Sequence, residues 1–546
     1  MDILSLIIYS VILFWSVKQA KNILFWVYLW QLKDYHWGRF AAHFSTAKGR
    51  SLLLNRLLFA KILLACFFYA AFCFDASLWW GAALFFLYFF ESAHAGRSFV
   101  LGRLKKPVST AKALFLSSAA VAFVFSFLLL FFFFFGGSFQ FLFWLLIIDI
   151  LSPVVISAVV LFFQPLTVLL RTRTIAKAKA KRRQFKDLKV VGITGSCGKS
   201  SAKEFLATIL QHKYRVLRTP KNQNSEMGIS RTILKYLTQE YEIFVCEMGG
   251  YDISGIKLLA DIAQPQMGVL VSINQQHLAT FGSQENITKG KFKLIESLPE
   301  DGKAILNWDN EFIKKELGGR KFKVKNIKLY SAKSKEGVDV WADNIQLKRD
   351  KVIFDIFSRD GEFASFKIDL PGGMPIVLNV LAAATAAKGL GMNLSEVGRA
   401  CQKLDPRFAP VLIKKGIDGI NIIDSSYSSN PEGVLADLDY LNLWIGKKIV
   451  VMPSLIELGK AAKEVHKNIG QRIGKICDLA IITSKDGVKE IKAGALSGGL
   501  DPAKIMFIED PKKIVEKIKT ELRRGDAILL EGRVPQEVSN LLEEKK

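Results

Sequence analysis

Two patterns of apolar and polar positions divide the chain near residue 170. Before that point, long runs rich in Phe, Leu, Ala and Trp approach the roughly 20 residues that a membrane-spanning helix needs. After it, short apolar runs alternate with amphipathic stretches, as in α/β proteins. The pattern predicts a multi-domain fold, with an α-helical transmembrane region over 1–170, a basic linker over 171–188, an α/β domain over 189–403, and a Rossmann-like α/β domain over 404–546.

Five apolar runs in the first region are interpreted as membrane spans. Residues 171–189, after the last run, carry nine basic residues and one acidic residue. Because basic segments stay on the cytoplasmic side, this asymmetry predicts a multi-pass protein of the inner membrane, with an external amino terminus and cytoplasmic catalytic domains. The predicted spans are 3–17, 52–74, 78–90, 113–135 and 139–163.

Charge and cysteine content narrow the possible partners. The net charge of +25 is attributed to segments facing anionic membrane lipid, and no nucleic-acid partner is expected because no aromatic-and-basic recognition module is visible. The six cysteines form no C-x-x-C pair, so neither a zinc site nor a disulfide framework is predicted. The composition leaves the oligomeric state open.

A glycine-rich loop, VGITGSCGKSS over 191–201, lies between a predicted strand and a predicted helix. It departs from the usual G-x-x-x-x-G-K-[ST] spelling, because Ile193 stands where the first glycine is expected. Backbone N–H groups at a helix amino terminus suit phosphate oxygens, so ATP and Mg²⁺ are the predicted cofactors. The nucleotide-binding residues predicted here are Gly195, Ser196, Gly198, Lys199, Ser200 and Ser201, with Ser200 also on Mg²⁺.

The offset spelling resembles the ATP loop of the Mur ligases, the ATP-dependent amide ligases of peptidoglycan precursor synthesis. Further stretches resemble the same family in the same order: TPKNQNSEMGISRTIL over 219–234, FVCEMGG over 244–250, and INQQHLATFGSQENITKGKFKLIESL over 273–298. The last of these is similar to the members that add D-alanyl-D-alanine.

The resemblance implies roles for residues of the central domain. Glu247 and His277 would be Mg²⁺ ligands, and Lys291 would be the carbamylated lysine, with Lys289 as a competitor for that role. Lys199, Lys291 and His277 would be catalytic. The resemblance places the substrate residues Asn222 and Asn224 near the reacting centre. It places the nucleotide residue Asn379 near the adenine.

The carboxy-terminal domain resembles the family more loosely. Arg407 would be a catalytic arginine that reaches the ATP phosphates. NIIDSSYSSNPEGVLADLDYL over 421–441 resembles the family's I-D-D-S-Y-N-A-N-P segment. Asp424 there would bind the ribose, with an Asx turn as the alternative, and Tyr427 and Asn430 would contact substrate. The runs KIVVMP, LAIITS, KIMFIED and AILLEG alternate with helical stretches, which predicts a parallel sheet.

The implied reaction is ATP-driven amide-bond formation through an acyl phosphate on a muramyl-peptide carboxylate, with an amine such as that of D-Ala-D-Ala as acceptor of the acyl group. The family's soluble amino-terminal domain has no counterpart between residues 170 and 191. A nucleotide-sugar substrate and a lipid-linked one are therefore both kept as hypotheses. The alternatives are a ligase for a non-peptidoglycan polymer and a membrane ATPase or sensor with a degenerate ligase fold.

Overall fold

The computed structural model describes residues 3–33, 35–44, 46–74, 76–221, 223–250, 252–426 and 430–544. It divides into two compact units, Met1–Thr172 and Arg173–Lys546. The first is helical, and the second is built on two β-sheets. The predicted combination of a helical amino-terminal region with α/β domains is therefore present in the fold.

The first unit packs its helices around a core that includes Trp15, Trp30 and Leu145. Charged side chains are also buried here: Lys61 forms ion pairs with Glu91 and Asp149, each at 2.7 Å. Pairing offsets part of the cost of burying these charges. The described helices of this unit are Ile3–Leu32, Trp37–His43, Ala47–Leu53, Arg56–Cys66, Phe68–Cys73, Ser77–Val100, Ala111–Phe135 and Phe139–Phe162, and the next, Gln164–Arg183, runs into the second unit.

Among the described residues, two of the five predicted membrane spans, 113–135 and 139–163, lie on helices long and apolar enough to cross a membrane, Ala111–Phe135 and Phe139–Arg183, and the other three do not. The predicted span 52–74 is broken into three short helices. The predicted span 3–17 is the first half of the helix Ile3–Leu32, in which Lys18, Gln19 and Lys21 interrupt the apolar sequence before it resumes at Ile23. The predicted multi-pass localisation in the inner membrane depended on the five-span count and is wrong with it.

The larger sheet of the second unit has nine strands in the order β2-β3-β1-β4-β5-β6-β7-β8-β9. The strands β1 to β7 pair in parallel, whereas β7, β8 and β9 pair antiparallel. Apolar residues fill both faces, as expected of parallel strands covered by helices. Their bounds are β1 Lys189–Thr194, β2 Val216–Arg218, β3 Ile243–Glu247, β4 Met267–Leu270, β5 Lys303–Asn307, β6 Asn326–Ser331, β7 Val340–Leu347, β8 Val352–Ser358 and β9 Phe363–Ile368.

The position of β1 between β3 and β4 determines where the glycine-rich loop lies. The three strands run in the same direction, so their carboxyl ends meet at one edge of the sheet. The chain passes from β3 to β4 across β1, and ligands bind in the crevice at such a switch point in open α/β sheets. The loop after β1, the Glu247 carboxylate that ends β3, and the polar residues after β4 therefore share one edge.

The smaller sheet has six strands in the order β10-β11-β15-β12-β13-β14. All pairs are parallel except β10 with β11. This agrees with the parallel sheet predicted from the alternating runs, and two apolar clusters cover its faces. Its strands are β10 Leu412–Lys415, β11 Asn421–Ser425, β12 Lys448–Met452, β13 Leu479–Ile482, β14 Ile505–Phe507 and β15 Ala527–Glu531.

The helices of the second unit connect these strands, and the basic segment predicted as a linker is helical to Arg183. Arg182 is buried and donates to the carbonyl oxygens of Ala263, Phe185 and Leu188, at 2.9, 2.7 and 3.3 Å. The α-helices are Lys199–Leu210, Glu226–Tyr236, Gly255–Ala263, Leu278–Phe281, Gln284–Glu296, Glu311–Gly318, Met374–Gly389, Leu394–Cys401, Pro431–Leu441, Ala462–Ile476, Val488–Ser497, Pro511–Glu521 and Gln536–Leu542.

Candidate active site

The glycine-rich loop joins β1 to the helix Lys199–Leu210, as the sequence predicts. Gly198 is the residue before that helix and has φ +78°, a left-handed conformation in which glycine is favoured. A Cβ atom at this position would lie 2.7 Å from Asn379 Oδ1. The buried Asn379, predicted on the adenine side, therefore packs directly against the loop.

Two sets of hydrogen bonds hold the loop in place. Lys199 Nζ donates to the carbonyl oxygens of Gly195 and Ser196, at 2.7 and 2.9 Å. On the other side, the N–H of Ser196 donates to Ser272 O, and the N–H of Cys197 donates to Ser272 Oγ, at 2.8 and 2.9 Å. Burial lowers the pKa of Lys199, while the Glu247 carboxylate acts in the opposite direction.

Ser200 and Glu247 form an oxygen-rich corner beside the loop. Glu247 Oε1 accepts from Ser200 Oγ at 3.0 Å and from Asn224 Nδ2 at 2.9 Å. Glu247 Oε2 is buried and accepts no hydrogen bond from the described residues, although Lys203 Nζ lies 3.5 Å away. Carboxylate and hydroxyl oxygens are the kind of ligand atoms that Mg²⁺ prefers, so this corner fits the predicted ion.

His277 lies after β4, and its partner comes from the smaller sheet. His277 Nδ1 is 2.6 Å from Glu457 Oε2, and the N–H of Ala279 donates to Glu457 O at 2.9 Å. Across the described residues, no group of three or more His, Cys, Asp and Glu side chains is arranged to hold a metal ion. An ion at the Ser200–Glu247 corner would therefore need phosphate or water oxygens to complete its coordination.

The two lysines that compete for carbamylation differ in burial. Lys289 is exposed, whereas Lys291 is buried, with its Nζ 5.9 Å from the centre of the Phe281 ring. Burial, followed by the positive charge of Lys199, lowers the pKa of Lys291 from 10.5 to about 7. A large part of Lys291 is therefore a neutral amine near neutral pH.

The helix Pro431–Leu441 of the smaller sheet begins against the glycine-rich loop. Asn274 Nδ2 donates to Asn430 Oδ1 at 3.0 Å and to Glu432 Oε2 at 3.2 Å, and Cys197 Sγ lies 3.5 Å from the same Glu432 oxygen. Burial raises the pKa of Glu432. Burial and then the Glu432 carboxylate raise the pKa of the Cys197 thiol to about 12.

Two family models match this part of the chain. The Mur ligase middle domain matches residues 193–387, which include the loop and its metal corner. The Mur ligase glutamate ligase domain matches residues 407–534, which form most of the smaller sheet and its helices. This chain belongs to the Mur ligase family. It is an ATP-dependent ligase that forms a C–N bond, and the prediction of that activity is confirmed.

This Mur ligase is similar to named relatives and to solved structures over about two thirds of its length. The UDP-N-acetylmuramoyl-tripeptide–D-alanyl-D-alanine ligase of Mycobacterium leprae (strain TN) is 28% identical over 382 residues, which are 66% of this chain and 73% of the relative. MurF from Thermotoga maritima, solved in complex with ADP, is 28% identical in sequence and superposes with a TM-score of 0.58. The match covers 68% of this chain and 83% of the Thermotoga maritima chain. MurF from Acinetobacter baumannii has a similar fold, with a TM-score of 0.60 at 24% identity, and covers 68% and 80% of the two chains.

The relatives also bear on the predicted partners. The Mycobacterium leprae and Synechocystis relatives are named for a UDP-linked substrate. The names give no support for a lipid-linked substrate.

Three other predicted residues of this Mur ligase have partners outside the Ser200–Glu247 corner, and two lie outside the described residues. Arg407 is exposed and pairs with Asp405. Asp424 accepts from Lys414 Nζ at 2.7 Å and from the Ser426 N–H at 3.0 Å, so it forms the Asx turn considered as the alternative. Although burial opposes the shift, these hydrogen bonds lower the pKa of Asp424. Ser201 Oγ donates to Phe408 O at 3.1 Å, and Asn222 and Tyr427 lie outside the described residues.

Four residues that contact the site of this Mur ligase have no role predicted from the sequence: Ser272, Asn274, Glu432 and Glu457. Ser272 and Asn274 follow the buried strand β4, and polar residues directly after a buried strand are a signal that could have identified them. Glu432 and Glu457 contact residues about 160 to 240 positions away in the chain. No local pattern indicates such contacts.

Proposed function

We propose that this ligase joins the terminal carboxylate of a UDP-linked muramyl tripeptide to the amine of D-alanyl-D-alanine. The proposal is supported by the names of the relatives and by their 66% coverage of this chain. The single structural observation that carries it is the Ser200–Glu247 corner beside Lys199, because phosphoryl transfer to a carboxylate needs a cation and an ammonium at the phosphate groups. The UDP-linked form is preferred to the lipid-linked form because the relatives' names specify it.

In the proposed reaction, the substrate carboxylate attacks the γ-phosphorus of ATP, which forms an acyl phosphate and ADP. The amine then attacks the acyl carbon, phosphate leaves, and the amine gives up a proton. Lys199 would exchange its two carbonyl contacts for phosphate oxygens and neutralise charge there. Ser200 and Glu247 would hold Mg²⁺, which withdraws electron density from the transferring phosphoryl group when it is bound.

His277 is proposed as a further ligand of a divalent cation, and Lys291 is proposed to act as a carbamate. The neutral form of an amine is the one that adds to CO₂, and the lowered pKa of Lys291 makes that form abundant near pH 7. A carbamate would replace a buried cation by an anion, which Lys199 would attract. Asn224, which donates to Glu247, would orient that carboxylate.

The domains and the remaining residues complete the proposal. The segments 189–403 and 404–546 are proposed as two domains that close over the nucleotide, with the exposed Arg407 reaching the ATP phosphates in the closed form. Asn379 is proposed on the adenine side, and Asn430 and Tyr427 at the substrate.

The test is a coupling assay with the full-length chain, ATP, Mg²⁺, UDP-muramyl tripeptide and D-alanyl-D-alanine, with the product identified by mass. We expect one dipeptide to be added for each ADP formed, and no ADP above background when either substrate is omitted. Lys199→Ala should abolish the product. Coupling of a lipid-linked tripeptide in preference to the UDP-linked one, or ADP formation that requires no amine, would contradict the proposal.

A further inference from the structure

A contact between His277 and Glu457 links the two sheets of Arg173–Lys546. The Nδ1–Oε2 distance is 2.6 Å, and the residues are 180 positions apart in the chain. A second bond, from the Ala279 N–H to Glu457 O at 2.9 Å, holds the same two loops together. The contact therefore exists only while the loop after β12 lies against the loop after β4.

Both partners have an uncommon backbone conformation. His277 and Glu457 each have φ +65°, in the left-handed region that residues other than glycine seldom adopt. Such conformations are unfavourable for residues other than glycine and persist where the surrounding structure determines them. Because both residues of the contact have this conformation, the surrounding structure holds the backbone of each in an unfavourable geometry.

We propose that Glu457 is a positioning residue for His277 and that it prepares the imidazole to bind a divalent cation. The inference rests on the role proposed for His277 in the ligase reaction. An ionised carboxylate can only accept hydrogen bonds, so Nδ1 carries a hydrogen, and in the neutral imidazole the lone pair available to a cation is then on Nε2. A carboxylate on the second ring nitrogen fixes the tautomer and the orientation of a metal-binding histidine.

The proposal has a consequence for the way the two sheets cooperate. The carboxylate comes from the smaller sheet, whereas the imidazole follows β4 of the larger one. Separation of the sheets would remove the hydrogen bond between Nδ1 and Glu457. The affinity of His277 for a divalent cation would then fall. Cation binding at His277 would in turn stabilise the arrangement in which the two sheets are in contact.

The test is a Mn²⁺ titration of the full-length chain, followed by electron paramagnetic resonance, with a non-hydrolysable ATP analogue and neither substrate. His277→Ala identifies the cation that depends on His277. We expect Glu457→Ala to weaken the same cation by about 10- to 100-fold, the usual effect of removing such a partner. Glu457→Gln keeps an oxygen acceptor for Nδ1–H and should weaken it less than about tenfold. Glu464→Ala, an exposed acid on the following helix, is the matched control.

The proposal is overturned if folded Glu457→Ala binds Mn²⁺ as tightly as the unaltered chain, or if Glu457→Gln loses as much affinity as Glu457→Ala. Thermal unfolding establishes that each variant is folded. In the coupling assay, Glu457→Ala should raise the Mg²⁺ concentration needed for half-maximal rate more than it lowers the rate at saturating Mg²⁺. The titration uses no muramyl substrate, so a failure of the proposed coupling reaction would leave its result interpretable.

Discussion

Replacement of Lys291 by methionine is expected to stabilise the folded chain, and to do so more at pH 7 than at pH 9. Lys291 is 3% exposed, and its pKa falls from 10.5 to about 7 on folding because of burial first and Lys199 second. The folded state therefore binds fewer protons than the unfolded state between about pH 7 and pH 10.5, and stability rises with pH across that interval. At about 1.4 kcal/mol per pKa unit, the buried lysine costs about 4 kcal/mol at pH 7 and about 2 kcal/mol at pH 9.

The measurement is urea unfolding of the unaltered chain and Lys291→Met in CO₂-free buffers at both pH values. Methionine keeps most of the aliphatic volume and removes the charge, so the stability gain should shrink by about 2 kcal/mol from pH 7 to pH 9. Lys289→Met is the matched control, because Lys289 is exposed and its replacement should change stability little at either pH. A gain that is equal at the two pH values, or larger at pH 9, would refute the reasoning.

Three further predictions concern the glycine-rich loop. Gly198→Ala should weaken ADP binding, measured by calorimetry, and lower the free energy of unfolding, measured in urea, by about 1–2 kcal/mol because of the left-handed conformation alone. Asn379→Ala in the same chain should relieve the clash with the new Cβ atom but not the cost of the left-handed conformation. Cys197 should react with iodoacetamide at pH 8 about 1,000-fold more slowly than an ordinary thiol, because its pKa is about 12 instead of 9.0; labelling at the rate of a free thiol would contradict the buried environment. Glu432→Gln should tighten ATP binding by up to about tenfold, since it removes a carboxylate next to the loop; unchanged affinity would show that Glu432 moves away before ATP binds.

The elements of the fold that follow from a local sequence pattern could be predicted from the sequence. Apolar runs that alternate with amphipathic stretches predicted the α/β character of both sheets and the parallel strands of the smaller one. The pairing of β1 with both β3 and β4, which brings Ser200 to Glu247, is a property of strand order rather than of any local pattern. Only the family resemblance linked these two residues before the structure was known.

The errors have a physical cause. The predicted spans 3–17 and 78–90 are apolar, but Trp15, Leu84 and Tyr88 from these runs are buried in the helical core of the first unit, and hydropathy alone does not separate that burial from exposure to lipid. Likewise, the bond between Glu457 and His277 depends on the contact between two sheets, and nothing within IELGKAAKEVHKNIG indicates it.

The glycine-rich loop already makes many of the bonds that a phosphate group would offer. Lys199 is paired with two carbonyl oxygens, and the N–H groups of Ser196 and Cys197 are paired with Ser272. For these groups nucleotide binding is an exchange of partners, whereas the first N–H groups of the helix Lys199–Leu210 have no acceptor within the helix. Calorimetry should consequently record a smaller heat of ADP binding than unpaired donors at Ser196, Cys197 and Lys199 would give.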